Sequence, residues 1–308
     1  MPGAAALRSV PVTDSALAAL TGRRALVTGG SSGVGLEIAR ALAAAGVDLV
    51  LPVRDRVRGE RAATAIRERG PAAEITLCDL DLAGLTSVRE CAAGLVEDGR
   101  PLDLVVLNAG VVLLGDPARH VTEDGFELHF QTNFLGHAAL VQGLLPLLRA
   151  SRTRIVVQSS LASAFFGVRW GDLQLARRYG PLRAYGSSKT ALGLFAFEAA
   201  RREPRLTVHV CHPGVVPATR IAPDVRQRVW PAVRELAVRH LGNPPAAAAL
   251  PALAASTTDA APPAFFAPSG WLQVSGRRAR RRRPFRRIAD PAAGRRVWEL
   301  ADRLTAAP

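Results

Sequence analysis

From residue 24 onward, short apolar runs with β character alternate with stretches of helical periodicity. The runs are Arg24–Thr28, Val47–Val53, Glu74–Cys78, Asp103–Asn108, Arg154–Gln158 and Leu206–Cys211. Strand followed by helix, six times over, predicts a parallel sheet. Among the helices, Val34 to Ala45 carries Ile38 and Leu42 at i, i+4 and meets Gly46 at its stop position. Ala264-Phe-Phe-Ala267 before Pro268-Ser-Gly270 adds a seventh short strand and a turn, and Pro291 to Thr305 a closing amphipathic helix. Because crossovers between parallel strands are right-handed, the fold class is α/β: a doubly wound, mostly parallel seven-stranded sheet inside a three-layer α/β/α sandwich. Residues 1–20 form an N-terminal extension and 21–308 one domain, since the Pro-rich pieces at 243–251 and 261–268 bound loops and not domains.

At 308 residues, with 48% apolar, 21% charged and 5% aromatic residues, the composition is that of a soluble globular protein. Cys78, Cys91 and Cys211 are odd in number and far apart along the chain, which reads as reduced thiols in a cytoplasmic protein. Met1 to Leu20 shows neither a secretory leader nor a membrane span. More than half of the net charge of +14 comes from Arg277 to Arg287, eight arginines in eleven positions. With one phenylalanine, a proline and no helical periodicity, the run reads as a solvated loop; nucleic acid or an anionic membrane surface is the disfavoured alternative.

The first predicted strand leads straight into Thr28-Gly29-Gly30-Ser31-Ser32-Gly33-Val34-Gly35 and then a helix. Glycines allow a tight turn and close approach to a pyrophosphate, and the helix start offers unpaired N–H groups. In the context of strand, turn and helix this is a dinucleotide site. The second strand ends in Val53-Arg54-Asp55. Valine stands where an acid would accept from the ribose hydroxyls, and Arg54 suits a 2′-phosphate, so NADP(H) is favoured over NAD(H), with Asp55 as the contrary sign.

Lys189 is the only lysine among 40 basic residues, so any ordinary cationic role is filled by arginine. It stands four residues after Tyr185, on the same helix face. A free tyrosine is only about one part in a thousand ionised at pH 7. A neighbouring ammonium favours the phenolate and makes the phenol a device for exchanging protons with an alcohol or carbonyl oxygen. Asn108-Ala109-Gly110 and Ser159-Ser160 fall at ends of the fourth and fifth strands, the edge at which open α/β sheets bind ligands.

Taken together, Thr28-Gly-x3-Gly-x-Gly35, Asn108-Ala-Gly110, Asn133, Ser160 and Tyr185-x3-Lys189 resemble the motif set of the short-chain dehydrogenase/reductase family, a Rossmann fold, over residues 21 to about 220. Asp124 to His137, the gap from Ser160 to Tyr185 and Trp170-Gly-Asp-Leu-Gln174 resemble its retinol dehydrogenase-like branch, which includes relatives of protochlorophyllide reductase. The resemblance implies a catalytic tetrad: Tyr185 as acid/base, Lys189 holding the nicotinamide ribose and depressing the tyrosine pKa, Ser160 polarising the carbonyl with Ser159 as runner-up, and Asn133 anchoring a water relay. It also implies cofactor contacts from Thr28, Gly29, Ser31, Ser32, Gly33, Val34, Gly35, Arg54, Asn108, Ala109, Gly110, Tyr185 and Lys189. Asp81 and Leu82 would meet the adenine, with Asp79-Leu80 as a competing register, and Pro213, Gly214, Val216 and Thr219 would close on the nicotinamide. A homodimer or homotetramer is implied, in contact through helices at about 121–150 and 181–202, and residues 220–308 would supply the substrate pocket and C-terminal elements.

His209-Val-Cys-His212 does not make a metal site, because alternation along a strand separates its members. His129 and His137 read as packing or surface residues. Phe165, Phe166, Trp170 and Trp230 fit either a pocket for an apolar alcohol or carbonyl compound or the core. The function expected is hydride transfer between NADP(H) and an alcohol or carbonyl carbon of a lipophilic substrate. The alternative is an inactive nucleotide-binding regulatory or scaffolding module of the same fold.

Overall fold

The computed structural model describes residues 9–10, 12–216 and 242–306. Its strands are β1 (Ser9–Val10), β2 (Arg24–Val27), β3 (Asp48–Val53), β4 (Ile75–Asp79), β5 (Leu104–Leu107), β6 (Arg154–Gln158), β7 (Thr207–Cys211), β8 (Phe265–Pro268) and β9 (Ala279–Arg282). They form one sheet in the order β1-β9-β8-β7-β6-β5-β2-β3-β4. From β8 to β4 all neighbours are parallel, which gives the seven strands expected from the apolar runs. Strand order reverses between β2 and β5, so the crevice for a ligand lies at the carboxyl ends of these two strands.

Alternation along each strand feeds two cores. Val105 and Leu107 of β5 face one hydrophobic cluster, Leu104 and Val106 the other. The first lies under α4 (Leu85–Asp98), α6 (Gly136–Ser151), α7 (Pro181–Arg202) and α10 (Pro291–Thr305); the second under α2 (Gly33–Ala44), α3 (Arg56–Arg67) and α8 (Pro245–Thr257). Short α1 (Asp14–Ala18) adds Leu17 to the second cluster, so part of the N-terminal stretch packs on the domain. Between α5 (Leu128–Phe130) and α6 the helix widens into a π turn, Gln131–Leu135.

The arginine run is not the solvated loop that its charge suggests. Ala279–Arg282 returns from β8 as β9, antiparallel, with Phe265 opposite Arg282 and Ala267 opposite Arg280. It then enters α9 (Arg286–Ala289), whose Ile288 is buried against Gly193. Backbone pairing drives the return: Ser269 N donates to Arg278 O at 2.9 Å, and β1 pairs antiparallel on the outer side of β9. Arg280, Arg281 and Arg282 are half-buried, their long apolar stems able to cover the sheet without an apolar alternation.

The helix face expected to meet a second subunit carries a third helix of the same chain. α10 packs on α7 with Trp298 stacked on Phe195, ring centroids 4.9 Å apart and planes 6° from parallel. Arg202 of α7 lies over the same indole, and Gln142 of α6 reaches Asp302 and Thr305 of α10.

Candidate active site

At the reversal point β2 and β5 are stitched together by Thr28 and Asn108. The Thr28 hydroxyl accepts from the backbone N–H groups of Asn108 (2.9 Å) and Ala109 (3.0 Å), and Asn108 Nδ2 donates to Thr28 O at 2.9 Å. Gln158, at the end of β6, donates through Nε2 to Asn108 Oδ1 at 2.7 Å. His137 sits behind the junction, fully buried, with Nδ1 donating to Asn133 O at 3.2 Å and Nε2 facing the Thr28 hydroxyl at 3.1 Å. Burial and the Lys189 charge push its pKa down to about 3, so it is a neutral strut of the site.

Gly29 turns through φ +68, and a Cβ there would lie 3.0 Å from both Ala109 Cα and Asn108 Nδ2; only glycine fits. α2 then starts at Gly33, and the Ser32 side chain makes no capping hydrogen bond, leaving the first N–H groups of the helix to a ligand. They open on a cavity of about 1030 Å³. Its wall includes the glycine loop from Thr28 to Gly35 except Gly30, then Arg54, Asp81, Leu82, Asn108, Ala109, Gly110, Tyr185, Lys189, Pro213 and Val216. Gly214 is not on the wall; its φ of +80 serves a close approach to the Val274 backbone. Thr219 and Trp230 lie outside the described residues. Asp79 is exposed and paired with Arg56 at 3.5 Å, whereas Leu80, Asp81 and Leu82 all border the cavity.

On the first turns of α7, Tyr185 and Lys189 share one face. Lys189 is 3% exposed, and its Nζ donates to Gln158 O (3.1 Å) and more distantly to Ala109 O (3.4 Å). Burial pulls its pKa down to about 8. Gly110 leaves room for this ammonium: a Cβ there would come within 3.1 Å of Nζ and 3.0 Å of Asn133 Oδ1. Burial raises the pKa of Tyr185 and a hydrogen bond from Ser160 opposes the rise. In the protein alone, therefore, desolvation outweighs the lowering that the neighbouring ammonium led us to expect.

The two serines divide their work. Ser159 borders the cavity and Ser160 is not on its wall, but the Ser159 hydroxyl is spent on Lys189 O (3.3 Å) and Ser163 Oγ (3.0 Å). Ser160 Oγ accepts from Ala162 N at 3.2 Å, which leaves its proton for Tyr185. Asn133 occupies the π turn behind the wall. Its Oδ1 accepts from Val111 N (2.7 Å), and its Nδ2 donates to Val111 O and Ser188 Oγ, each at 3.0 Å. The side chain thus clamps the exit of β5 instead of touching the lysine.

Arg58 and Arg61 also border the cavity beside Arg54, and sequence reasoning passed over them. Their i, i+3 spacing on the helix after Arg54 was the available signal. Asp55, the contrary sign for the cofactor, is the N-cap of α3: Oδ1 accepts from Arg58 N at 3.0 Å and Oδ2 faces Arg58 Nε at 3.8 Å. Of the aromatics, Trp170 packs on the core beneath Arg296, Phe166 lies against Gly186, and Phe165 is 70% exposed. His209 and His212 turn apart, one accepting from Ala264 N at 3.1 Å and the other meeting Gln273 Oε1 at 3.1 Å.

Residues 23–230 match the family model described as short chain dehydrogenase. Polyprenol dehydrogenase of Mus musculus is 41% identical over 204 residues, 63% of this chain and 60% of that protein. Retinol dehydrogenase 13 of Homo sapiens is 39% identical over 220 residues, 69% of this chain and 66% of that protein, so in both cases the match spans less than two thirds of the relative. Among solved structures, an uncharacterized protein from Mycobacterium paratuberculosis superposes with a TM-score of 0.74 at 31% identity, covering 93% of this chain and 94% of that one. The Pseudomonas aeruginosa RhlG/NADP active-site complex gives a TM-score of 0.62 at 28% identity, covering 78% and 91%. With the family model covering two thirds of the sequence and relatives of this kind, one assignment remains: the chain belongs to the short chain dehydrogenase family, on its retinol dehydrogenase-like side.

Proposed function

We propose that the chain is an NADP(H)-dependent oxidoreductase acting on the carbonyl or alcohol carbon of a lipophilic substrate, with Tyr185 as general acid/base. One observation carries the reading: a single cavity joins the Tyr185 phenol and the buried Lys189 ammonium to a helix start and three arginines. The residues fit a dinucleotide. The uncapped start of α2 suits a pyrophosphate, the glycines leave no side chain in the way, and the Thr132 hydroxyl on the wall is buried without a partner. Arg54, Arg58 and Arg61 would meet a 2′-phosphate, and Asp55, next to Arg54 in the chain, is already engaged by the helix it caps. A bound nicotinamide supplies or takes the hydride.

The side chains then have separable tasks. The Tyr185 phenol, kept protonated by burial, delivers its proton to the substrate oxygen as the carbonyl is reduced. Ser160 donates to the same region and stabilises developing negative charge. Lys189 is fixed by two carbonyl oxygens and keeps a positive charge near the phenol. Val111, Val112 and Leu113 line the cavity and Phe165 is exposed beyond Ser160, which favours an apolar substrate. No described helix is long and apolar enough to cross a membrane; the free thiols suit a reducing compartment, and we place the protein in the cytoplasm.

Incubation with NADPH and a panel of aldehydes and ketones, followed by loss of reduced-nicotinamide absorbance, tests the reading; no turnover with any of them favours the inactive module instead. Arg54→Ala is expected to raise KM for NADPH about tenfold, the value of one charge-assisted hydrogen bond, and to leave KM for NADH unchanged. Equal losses with both cofactors would remove the case for a 2′-phosphate site.

A further inference from the structure

Cys78 and Cys91 are far apart in the sequence pattern but not in the fold. Cys78 lies on β4, the outermost strand of the sheet, and Cys91 on α4, which packs beneath it; their sulfurs are 3.7 Å apart. Cys78 is half-buried and Cys91 buried. The third cysteine behaves differently. Cys211 is fully buried in β7, faces Gln158 Oε1, and has its thiol pushed up to about 12. It has no sulfur neighbour. Two of only three cysteines thus meet at the edge of the sheet, where a small solute reaches Cys78.

We propose that Cys78 and Cys91 are an oxidisable dithiol, which hydrogen peroxide converts to an intrachain disulfide that ties the edge strand to α4 and alters the adjoining cavity wall. In the first step one sulfur, as thiolate, attacks a peroxide oxygen. The O–O bond breaks, a sulfenic acid forms, and the leaving hydroxide takes up the thiol proton as water. In the second step the other sulfur attacks the sulfenic sulfur; the S–S bond forms, the S–O bond breaks and a second water leaves. Two thiols lose two electrons in all, and the peroxide is reduced to two waters. Their mutual contact pushes the Cys78 thiol up and holds the Cys91 thiol below its ordinary value, so Cys91 is the sulfur that attacks as thiolate. Packing of two thiols as plain core filler would require no such consequence.

The segment joining the two cysteines carries Leu80, Asp81 and Leu82, all on the cavity wall. Closing the sulfur pair to bonding distance draws α4 and β4 together on either side of this segment. The effect on cofactor rests on the nucleotide reading above: NADPH affinity of the oxidised protein should fall by about fivefold or more, the size of an ordinary coupling between sites.

The full chain is treated with stoichiometric hydrogen peroxide, unfolded, alkylated and weighed by mass spectrometry. The expected product is lighter by two hydrogens, contains one cross-linked peptide joining Cys78 to Cys91, retains an alkylatable Cys211, and reverts with dithiothreitol. Cys78→Ser and Cys91→Ser should each abolish the cross-link while leaving turnover of the reduced protein unchanged. Full alkylation of both cysteines after peroxide, or their passage to sulfinic acids without a cross-linked peptide, overturns the site. A quantitative disulfide with undiminished NADPH affinity, measured by fluorescence titration, overturns the coupling. Because the mass readout needs no cofactor, failure of the reduced protein to bind NADPH strikes the proposed function and not the dithiol.

Discussion

Replacing Tyr185 with phenylalanine is expected to cut kcat for carbonyl reduction by about a thousandfold, within the range ordinarily supplied by a positioned proton donor. NADPH binding should be unchanged, because the phenol borders the far end of a cavity whose phosphate-binding features are the helix start and arginines. Only the hydroxyl is removed, so the ring still packs at the start of α7 and the fold is retained. Steady-state kinetics with a responsive carbonyl, set beside a fluorescence titration of NADPH, makes the comparison. A rate within a few-fold of the parent would mean that another group delivers the proton.

The ammonium provides an independent check through pH. Its pKa, pulled by burial from 10.5 to about 8, means that Lys189 is charged below that pH and neutral above it. kcat/KM for NADPH reports groups of the free protein and should therefore decline as pH rises through about 8. Lys189→Met should remove this limb and lower the rate on both sides of it. Arginine is the wrong substitute here: Gly110 already stands as close to Nζ as a side chain permits.

The parts of this site that are contiguous in sequence were legible there. The glycine loop announces itself because turn, close approach and helix start are consecutive, and β2 to β8 are visible because strands of a parallel sheet, covered on both faces, are nearly unbroken apolar runs. β9 was hidden for the opposite reason. Its three consecutive arginines carry a charge signal, while its strand character comes from the hairpin return and from pairing with β8 and β1. Arg58 and Arg61 resemble any solvated helix face until Asp55 is seen capping that helix beside the cavity. The choice of Ser160 over Ser159 rested on the family resemblance alone, since the bond of the Ser159 hydroxyl across to α7 is set by the fold. The meeting of Cys78 with Cys91 depends on the packing of a helix on a strand, which no spacing rule encodes.

Trp298→Ala is expected to destabilise the protein by about 3–4 kcal/mol, the cost of deleting a large buried aromatic together with its ring partner contact. The indole is almost fully buried, stacked on Phe195 on one side and covered by Arg202, whose guanidinium carbon is 5.4 Å from the ring centre. α10 has few other large anchors: Val297 and Leu300 are buried, but Gly294 and Ala301 bring little area to the contact. Urea unfolding should show a lower midpoint with the slope preserved, the sign of lost stability in place of a changed mechanism. Trp298→Phe should recover more than half of the loss by keeping the stack, and Glu299→Ala, on the exposed side of the same helix, should change nothing measurable. If alanine at 298 leaves the midpoint where it was, α10 is not held by this stack.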